Sequence, residues 1–393
     1  MNPRKITGNV HWLGVIDWDR RLFDSLIPLP DGTSYNAYLV KGTEKTALFD
    51  TVDPPFWPVL EEQLRSVGKV DYIVSHHAEQ DHSGSIGQVM EKFPDAKVLC
   101  TEKCKPMLVD HLHVPEARIQ AVADGEIVPL GGKTLQFVHT PWVHWPETMV
   151  TFLKEDGILF SCDFFGSHLA TTDLYAKDRP RVYEAAKRYY AEIMMPFRNV
   201  IRKNIEKVEA LPVRIIAPSH GPMYDDPKFI VAAYKDWISD TPKNEVVIPF
   251  ISMHGSTRKM VERLVATLAD RNVAAFRFDL AATDIGKLAI SLVDAATIVI
   301  GAPTVHAGPH PNVVYAAVLA NAIRPKAKFA SIIGSYGWST KTVETLAAMI
   351  PNLKVEIIPP VLCKGLPRET DLKALDALAD AIVQKHRSIG LQV

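Results

Sequence analysis

No stretch of this 393-residue chain stays apolar for the roughly 20 residues a membrane helix needs, and the apolar runs are short and broken by charge or proline. Residues 1–10 also lack the apolar core of a secretory signal, so a cytoplasmic protein is expected. An excess of one charge is missing too. With 44 basic and 45 acidic residues the formal net charge is -1, and no long Lys/Arg run is available to neutralise a phosphate backbone, which excludes nucleic acid as a partner. The four cysteines, Cys100, Cys104, Cys162 and Cys363, form no Cys-x-x-Cys pair. That excludes a disulfide scaffold, a zinc knuckle and a rubredoxin-type iron site, and leaves buried free thiols as the reading; Cys162, beside Asp163, is not counted as a ligand.

What is present suffices for well-packed cores: 47% hydrophobic and 23% charged residues. The length exceeds what one core usually organises, so two domains are expected. In the first half, strand-like runs at 35–40, 46–49, 70–74, 98–100, 134–138, 158–161 and 213–217 alternate with helical patterns at 58–67, 84–92, 181–195, 200–210 and 228–239. This is a mixed α/β domain. A polar stretch at 240–245 then precedes regular strand and helix alternation, with strands expected at 246–251, 274–278, 297–300, 329–333 and 355–358. Five βα units make a doubly wound parallel sheet, and the domains are set at 1–245 and 246–393.

Chemistry concentrates in four of the 14 histidines and three carboxylates. His77, Glu79, Asp81 and His82 lie in one His-Ala-Glu-Gln-Asp-His loop, and His144, Asp163 and His220 each come at or just after the end of an expected strand. Ligands on several strand ends can converge at one edge of a sandwich, and this set suffices for two metal ions. The constellation resembles the metallo-β-lactamase fold, an αββα sandwich whose usual first motif is His-x-His-x-Asp-His. Here Glu79 stands at the second histidine, adding a hard oxygen ligand that suits iron better than a nitrogen-rich zinc site. That exchange, with His144-Trp145-Pro146-Glu147, Ser161-Cys162-Asp163 and Ser219-His220-Gly221, resembles the flavodiiron proteins, or A-type flavoproteins, over essentially the whole chain.

The resemblance implies a non-haem diiron site: His77, Glu79 and His144 on one iron, Asp81, His82 and His220 on the other, and Asp163 bridging. His82 is the position that does not bind metal in every relative. It also implies a tyrosine near the pair, assigned here to Tyr190 rather than Tyr189, while His76, His111, His113, His139 and His168 are read as structural. One departure stands out. Many relatives carry a histidine reaching toward the site where this chain has Asp24, after Arg21-Leu22-Phe23, so hydrogen bonding over the substrate pocket is expected to differ.

After the first strand of the second half comes Ser252-Met253-His254-Gly255-Ser256-Thr257, opening a helix. Hydroxyls and helix N-terminal amides there form a neutral cradle for a phosphate, and the absence of the Walker lysine disfavours a nucleoside triphosphate. The segment resembles the flavodoxin phosphate loop. Two later loops, holding Pro303, Thr304, Val305 and Gly308, and Ser335, Tyr336, Gly337 and Trp338, match flavodoxin ring-binding loops, so FMN is the implied cofactor.

Together the two domains imply an oxidoreductase. Reduced FMN and a diferrous pair hold two electrons each, enough to take dioxygen to two waters, or to couple two nitric oxide molecules into nitrous oxide with two electrons. Both gases are expected substrates. FMN must approach iron closely across a short linker, which implies a head-to-tail homodimer, or a tetramer of two such dimers. The chain ends soon after the flavodoxin-like unit, so an external donor is expected: a separate rubredoxin first, a reduced deazaflavin second. Two rivals are weighed. A dinuclear zinc hydrolase fused to a flavin module would hold zinc rather than iron, and an electron carrier with a vestigial metal domain would not consume dioxygen.

Overall fold

The computed structural model describes residues 2–393. The chain up to Tyr189 together with Phe197–Ile238 makes one compact unit, and Tyr190–Pro196 with Ser239–Val393 makes the other. The break falls a few residues ahead of position 246, because the strand expected to start there begins at Lys243.

In the first unit, strand Thr33–Lys41 explains the architecture. Successive side chains of a strand point to opposite faces. Tyr35, Ala37 and Leu39 turn to a core shared with Leu60, Ile86 and Leu108 of helices Trp57–Gln63, Ile86–Lys92 and Cys104–Leu112. Tyr38 and Val40 turn the other way, onto Phe137, Met149, Leu153 and Phe160 of a second sheet. Covered on both faces, the strand is buried at every position but the last.

The first sheet runs Arg4–Thr7, Val10–Asp17, Thr33–Lys41, Thr46–Phe49, Tyr72–Val74, Lys97–Cys100, Ile119–Ala121, antiparallel as far as Thr46–Phe49 and parallel beyond it. The second runs Ile127–Pro129, Thr134–His139, Met149–Leu153, Ile158–Cys162, Ile215–Pro218, antiparallel except for its last pair. Helices Arg179–Tyr189, Arg198–Glu209 and Pro227–Trp237 bury their apolar faces on this side, where the Lys207 ammonium donates to the His139 carbonyl at 2.7 Å. This is the expected αββα sandwich. Phe160 stacks on Phe49 at 4.2 Å between the sheets, and truncation to alanine there costs about 3–5 kcal/mol. Where the sheets meet, Gly42 lies so close to Leu130 that a Cβ would come within 1.9 Å of its carbonyl oxygen.

The second unit is the expected doubly wound sheet. Ala274–Asp279, Lys243–Phe250, Ala295–Val305, Phe329–Tyr336 and Glu356–Ile357 lie side by side and parallel. The last expected strand is short, Glu356–Ile357, and beyond Pro359-Pro360 a further strand, Val361–Lys364, pairs further along Phe329–Tyr336. Helices Ser256–Ala269 and Glu369–Ser388 cover one face through Met260, Leu264, Leu375 and Ile382. Among the described residues no helix is long and apolar enough to cross a membrane.

Candidate metal centre and phosphate-loop cleft

Five strand ends of the first unit deliver side chains to one edge. His77 and Glu79 follow Tyr72–Val74, and Asp81 and His82 sit in the single helical turn Gln80–Ser83 directly after them. His144 lies between Thr134–His139 and Met149–Leu153. Asp163 and His220 follow Ile158–Cys162 and Ile215–Pro218, which are parallel neighbours and so end at the same edge.

The seven side chains meet as two sets about one carboxylate. On one side, the Glu79 Oε2 lies 3.0 Å from His77 Nε2 and 3.2 Å from His144 Nε2, and Asp163 Oδ2 lies 3.5 and 3.6 Å from the same nitrogens. On the other, Asp163 Oδ1 lies 3.0 Å from His82 Nε2 and 3.4 Å from His220 Nε2, while Asp81 Oδ2 is 3.1 Å from His220 Nε2. Within each set, His77, Glu79, His144 and Asp163, or Asp81, His82 and His220, the donor atoms lie within 4.8 Å of one another.

Tautomers follow from the outer partners. The Ser34 carbonyl can only accept, so His220 Nδ1, at 2.7 Å, carries the hydrogen and its Nε2 is a bare lone pair. His77 Nδ1 faces the buried Glu147 carboxylate at 2.6 Å in the same way. Lone pairs aimed at carboxylates repel unless a cation stands between them. Protons are one such cation: burial opposes charge on both rings, yet Glu147, Glu79 and Asp163 raise His77 well above the ordinary histidine range, and Asp81 and Asp163 push His82 up to about 10. Metal ions are the other. Both oxygens of Asp81, Oδ2 of Asp163 and both nitrogens of His82 are buried without a hydrogen-bond partner, and two cations flanking Asp163 would take up the Asp81 and Asp163 carboxylates and His82 Nε2, the ring nitrogen that faces Asp163. Asp163, although buried, is held well below the usual carboxylate range by His82 and His77, so it is ionised and has an oxygen for each side.

The surroundings hold this arrangement in place. The Tyr189 phenol donates to Asp163 Oδ1 at 2.8 Å, so Tyr189, the neighbour of the Tyr190 read from the sequence, reaches the bridge. His76 does not join the cluster. Its Nδ1 bonds Asp50 Oδ2 and its Nε2 bonds Thr151 Oγ1, each at 2.8 Å, and the Ser219 hydroxyl donates to the same Asp50 oxygen, fixing the chain beside His220. The Cys162 thiol, within 4.8 Å of donor atoms of His82 and Asp163, is pushed up by burial and by Asp50 and Asp163. His168 packs its ring on His220 at 4.9 Å and bonds Thr33 Oγ1. Asp50, Glu147 and Tyr189 are the supports that sequence reasoning missed; Glu147 stood in the quoted His144-Trp145-Pro146-Glu147 segment, whereas Asp50, which holds His76 and Ser219 rather than a ligand, had no such signal.

In the second unit a cleft of about 320 Å³ opens at the carboxyl ends of the parallel strands. Ser252, Met253, His254, Ser256, Thr257, Pro303, Thr304, Ser335, Tyr336, Gly337 and Trp338 line it, as does Gly365, which the sequence reading did not include. Gly255, Val305 and Gly308 stand back from it. Gly255 takes the left-handed conformation, φ +89°, that starts helix Ser256–Ala269, and Val305 pairs with Gly308 across a small hairpin. The Ser252 hydroxyl accepts from the amides of Gly255 and Arg258, each at 3.1 Å, which shapes the loop around the helix N-terminus. Trp338 is 81% exposed at the rim, an aromatic with one face free for a planar ring. Hydroxyls, a helix N-terminus and an aromatic rim fit a phosphorylated planar cofactor such as FMN.

A family model described as ODP family beta lactamase matches residues 33–221. The chain is 36% identical to a coenzyme F420H(2) oxidase of Methanothermobacter marburgensis over 323 residues, covering 79% of this chain and 80% of that protein. It is 34% identical to a nitric oxide reductase of Moorella thermoacetica over 382 residues, covering 94% and 96%. Among solved structures, rubredoxin oxygen:oxidoreductase of Desulfovibrio gigas superposes with a TM-score of 0.95 at 30% identity, covering 98% of this chain and 99% of that one.

Proposed function

Because the chain belongs to the flavodiiron protein family, we propose that it is an oxidoreductase reducing dioxygen to water and nitric oxide to nitrous oxide at a diiron site fed by FMN. The observation that carries this reading is the division of the site at Asp163, with one oxygen turned to His77 and His144 and the other to His82 and His220. We assign His77, Glu79 and His144 to one iron, Asp81, His82 and His220 to the other, and Asp163 to both. FMN belongs to the cleft of Ser252, Thr257, Thr304, Tyr336 and Trp338. Bound in these places, iron would supply a two-electron store and open coordination positions for a diatomic gas, and FMN a two-electron relay from the donor.

The chain's own contribution is positional and electrostatic. Three carboxylates in a buried cluster favour the higher-charged cations and so a low potential, and the hard oxygens suit iron. Glu147 and the Ser34 carbonyl fix the tautomers of His77 and His220, so that both present a lone pair at Nε2. Tyr189, with its phenol held un-ionised by burial and by Asp163, donates a hydrogen bond to the bridge and limits how far that carboxylate can swing.

The donor we propose is a separate rubredoxin, as the name of the Desulfovibrio gigas relative suggests; reduced deazaflavin is the second reading, favoured by the methanogen relative named for F420H(2). We also propose a head-to-tail homodimer, alone or paired into a tetramer, in the cytoplasm. One stopped-flow experiment tests the function: the fully reduced protein is mixed with dioxygen and with nitric oxide in turn. Flavin reoxidation with water or nitrous oxide as product is expected, and a flavin that stays reduced with both gases overturns the proposal. A fully active monomer in sedimentation overturns the dimer.

A further inference from the structure

Asp24 sits on a short hairpin above the candidate metal centre. Strands Leu22–Phe23 and Ile27–Pro28 are joined by a tight turn closed by Leu26 N donating to the Phe23 carbonyl at 3.0 Å. Both central residues are left-handed, Asp24 at φ +48° and Ser25 at φ +54°, the hairpin turn whose twist matches its strands. Aspartate tolerates that conformation.

The hairpin is anchored over the site. Phe23 is buried with its ring 5.3 Å from that of His168, which in turn packs on His220. Arg20 donates to the Leu22 carbonyl at 2.9 Å and pairs with Asp53 at 3.3 Å, so the nearest cation is already engaged on the flank of the turn. Asp24 itself remains exposed, and its charged neighbours are Glu79, Asp81, His144 and Arg20. Three of these four belong to the candidate metal centre, so the Asp24 carboxylate stands within electrostatic reach of the centre, on the hairpin that Phe23 anchors against His168.

We propose that Asp24 is a specificity-determining residue: its fixed negative charge at the mouth repels anions, leaving the centre to neutral diatomic molecules. The inference rests on the metal-centre reading above. At an effective dielectric of about 40, a unit charge about 6 Å from a bound monoanion alters its affinity about tenfold. It does not alter that of an uncharged gas.

The test uses azide as a monoanionic probe of the oxidised holoprotein, in mildly alkaline buffer where the carboxylate is ionised. Iron and FMN are quantified first, and binding is followed by the infrared stretch of bound azide, which flavin absorption does not mask. Asp24→Asn, which keeps the shape and the left-handed preference, is expected to bind azide about tenfold more tightly than wild type with unchanged iron and FMN. Added salt should strengthen azide binding to wild type and leave the variant nearly unaffected. Equal affinities, or equal salt responses, overturn the inference. Loss of iron from Asp24→Asn also overturns it, since Asp24 would then be a ligand rather than a gate. Wild-type protein without iron overturns the metal-centre reading before any azide is added.

Discussion

Replacing Glu147 by glutamine tests whether a side chain outside the cluster sets the strength of one metal position. The Glu147 Oε1 accepts from two groups, His77 Nδ1 at 2.6 Å and the Ala78 amide at 3.1 Å, while its Oε2 is buried without a partner. Glutamine must turn its carbonyl toward both donors, which puts its NH2 where Oε2 stood. A buried donor left unsatisfied there costs about 1–3 kcal/mol. The charge behind His77 is lost as well, making the imidazole a weaker base, and removal of such outer partners typically weakens metal binding about 10–100-fold, or about 1.4–2.7 kcal/mol. Anaerobic titration with ferrous iron against a competing chelator measures this. The expected curve has one position weakened by that factor and the other, at Asp81, His82 and His220, nearly as in wild type. Two positions of unchanged affinity would refute the reasoning.

Other consequences can be checked separately. Asp163→Asn should lose one or both irons while FMN remains bound, because an amide cannot offer two anionic oxygens; elemental analysis beside the flavin spectrum decides, and full iron with full activity would show the bridge to be misassigned. His386 gives the second unit an acid-sensitive limb. Asn244 donates to the Asn272 carbonyl and so turns its own oxygen to His386 Nδ1 at 2.7 Å, while Thr297 bonds Nε2 at 2.7 Å, a neutral ring whose pKa burial lowers to about 4. Protons then bind the unfolded chain better than the folded one, so stability is full above about pH 6.5 and about 2–3 kcal/mol is lost as pH falls toward 4. Urea unfolding followed by release of flavin fluorescence should show that slope in wild type and a flatter one in His386→Gln; a wild-type curve level across this window contradicts it.

Much of the site was legible because its residues follow strand ends, and strand ends are what alternation and turn residues mark best. His77, Glu79, Asp81 and His82 share one loop, and Asp163 and His220 lie at matching ends of parallel neighbours, so the sheet itself converges them. The cleft of the second unit was legible for the same reason. What escaped depends on helical phase and on distant partners. Tyr189 and Tyr190 lie about 100° apart on a helix, and the helix Arg179–Tyr189 widens at that point, so sequence spacing could not say which phenol meets Asp163. Glu147 stood in the quoted motif, but its role appears only when strand Met149–Leu153 carries it behind His77. Gly365 joins the cleft through the strand Val361–Lys364, a pairing too short and too late in the chain to be read from periodicity.

Anomalous scattering at the iron edge, from crystals of protein purified without oxygen, addresses the central claim most directly. Two iron peaks are expected, one on the Oδ2 side of Asp163 with His77, Glu79 and His144, the other on the Oδ1 side with Asp81, His82 and His220. A signal at the zinc edge alone, or a single ion that leaves one set of imidazoles without metal, would contradict the account.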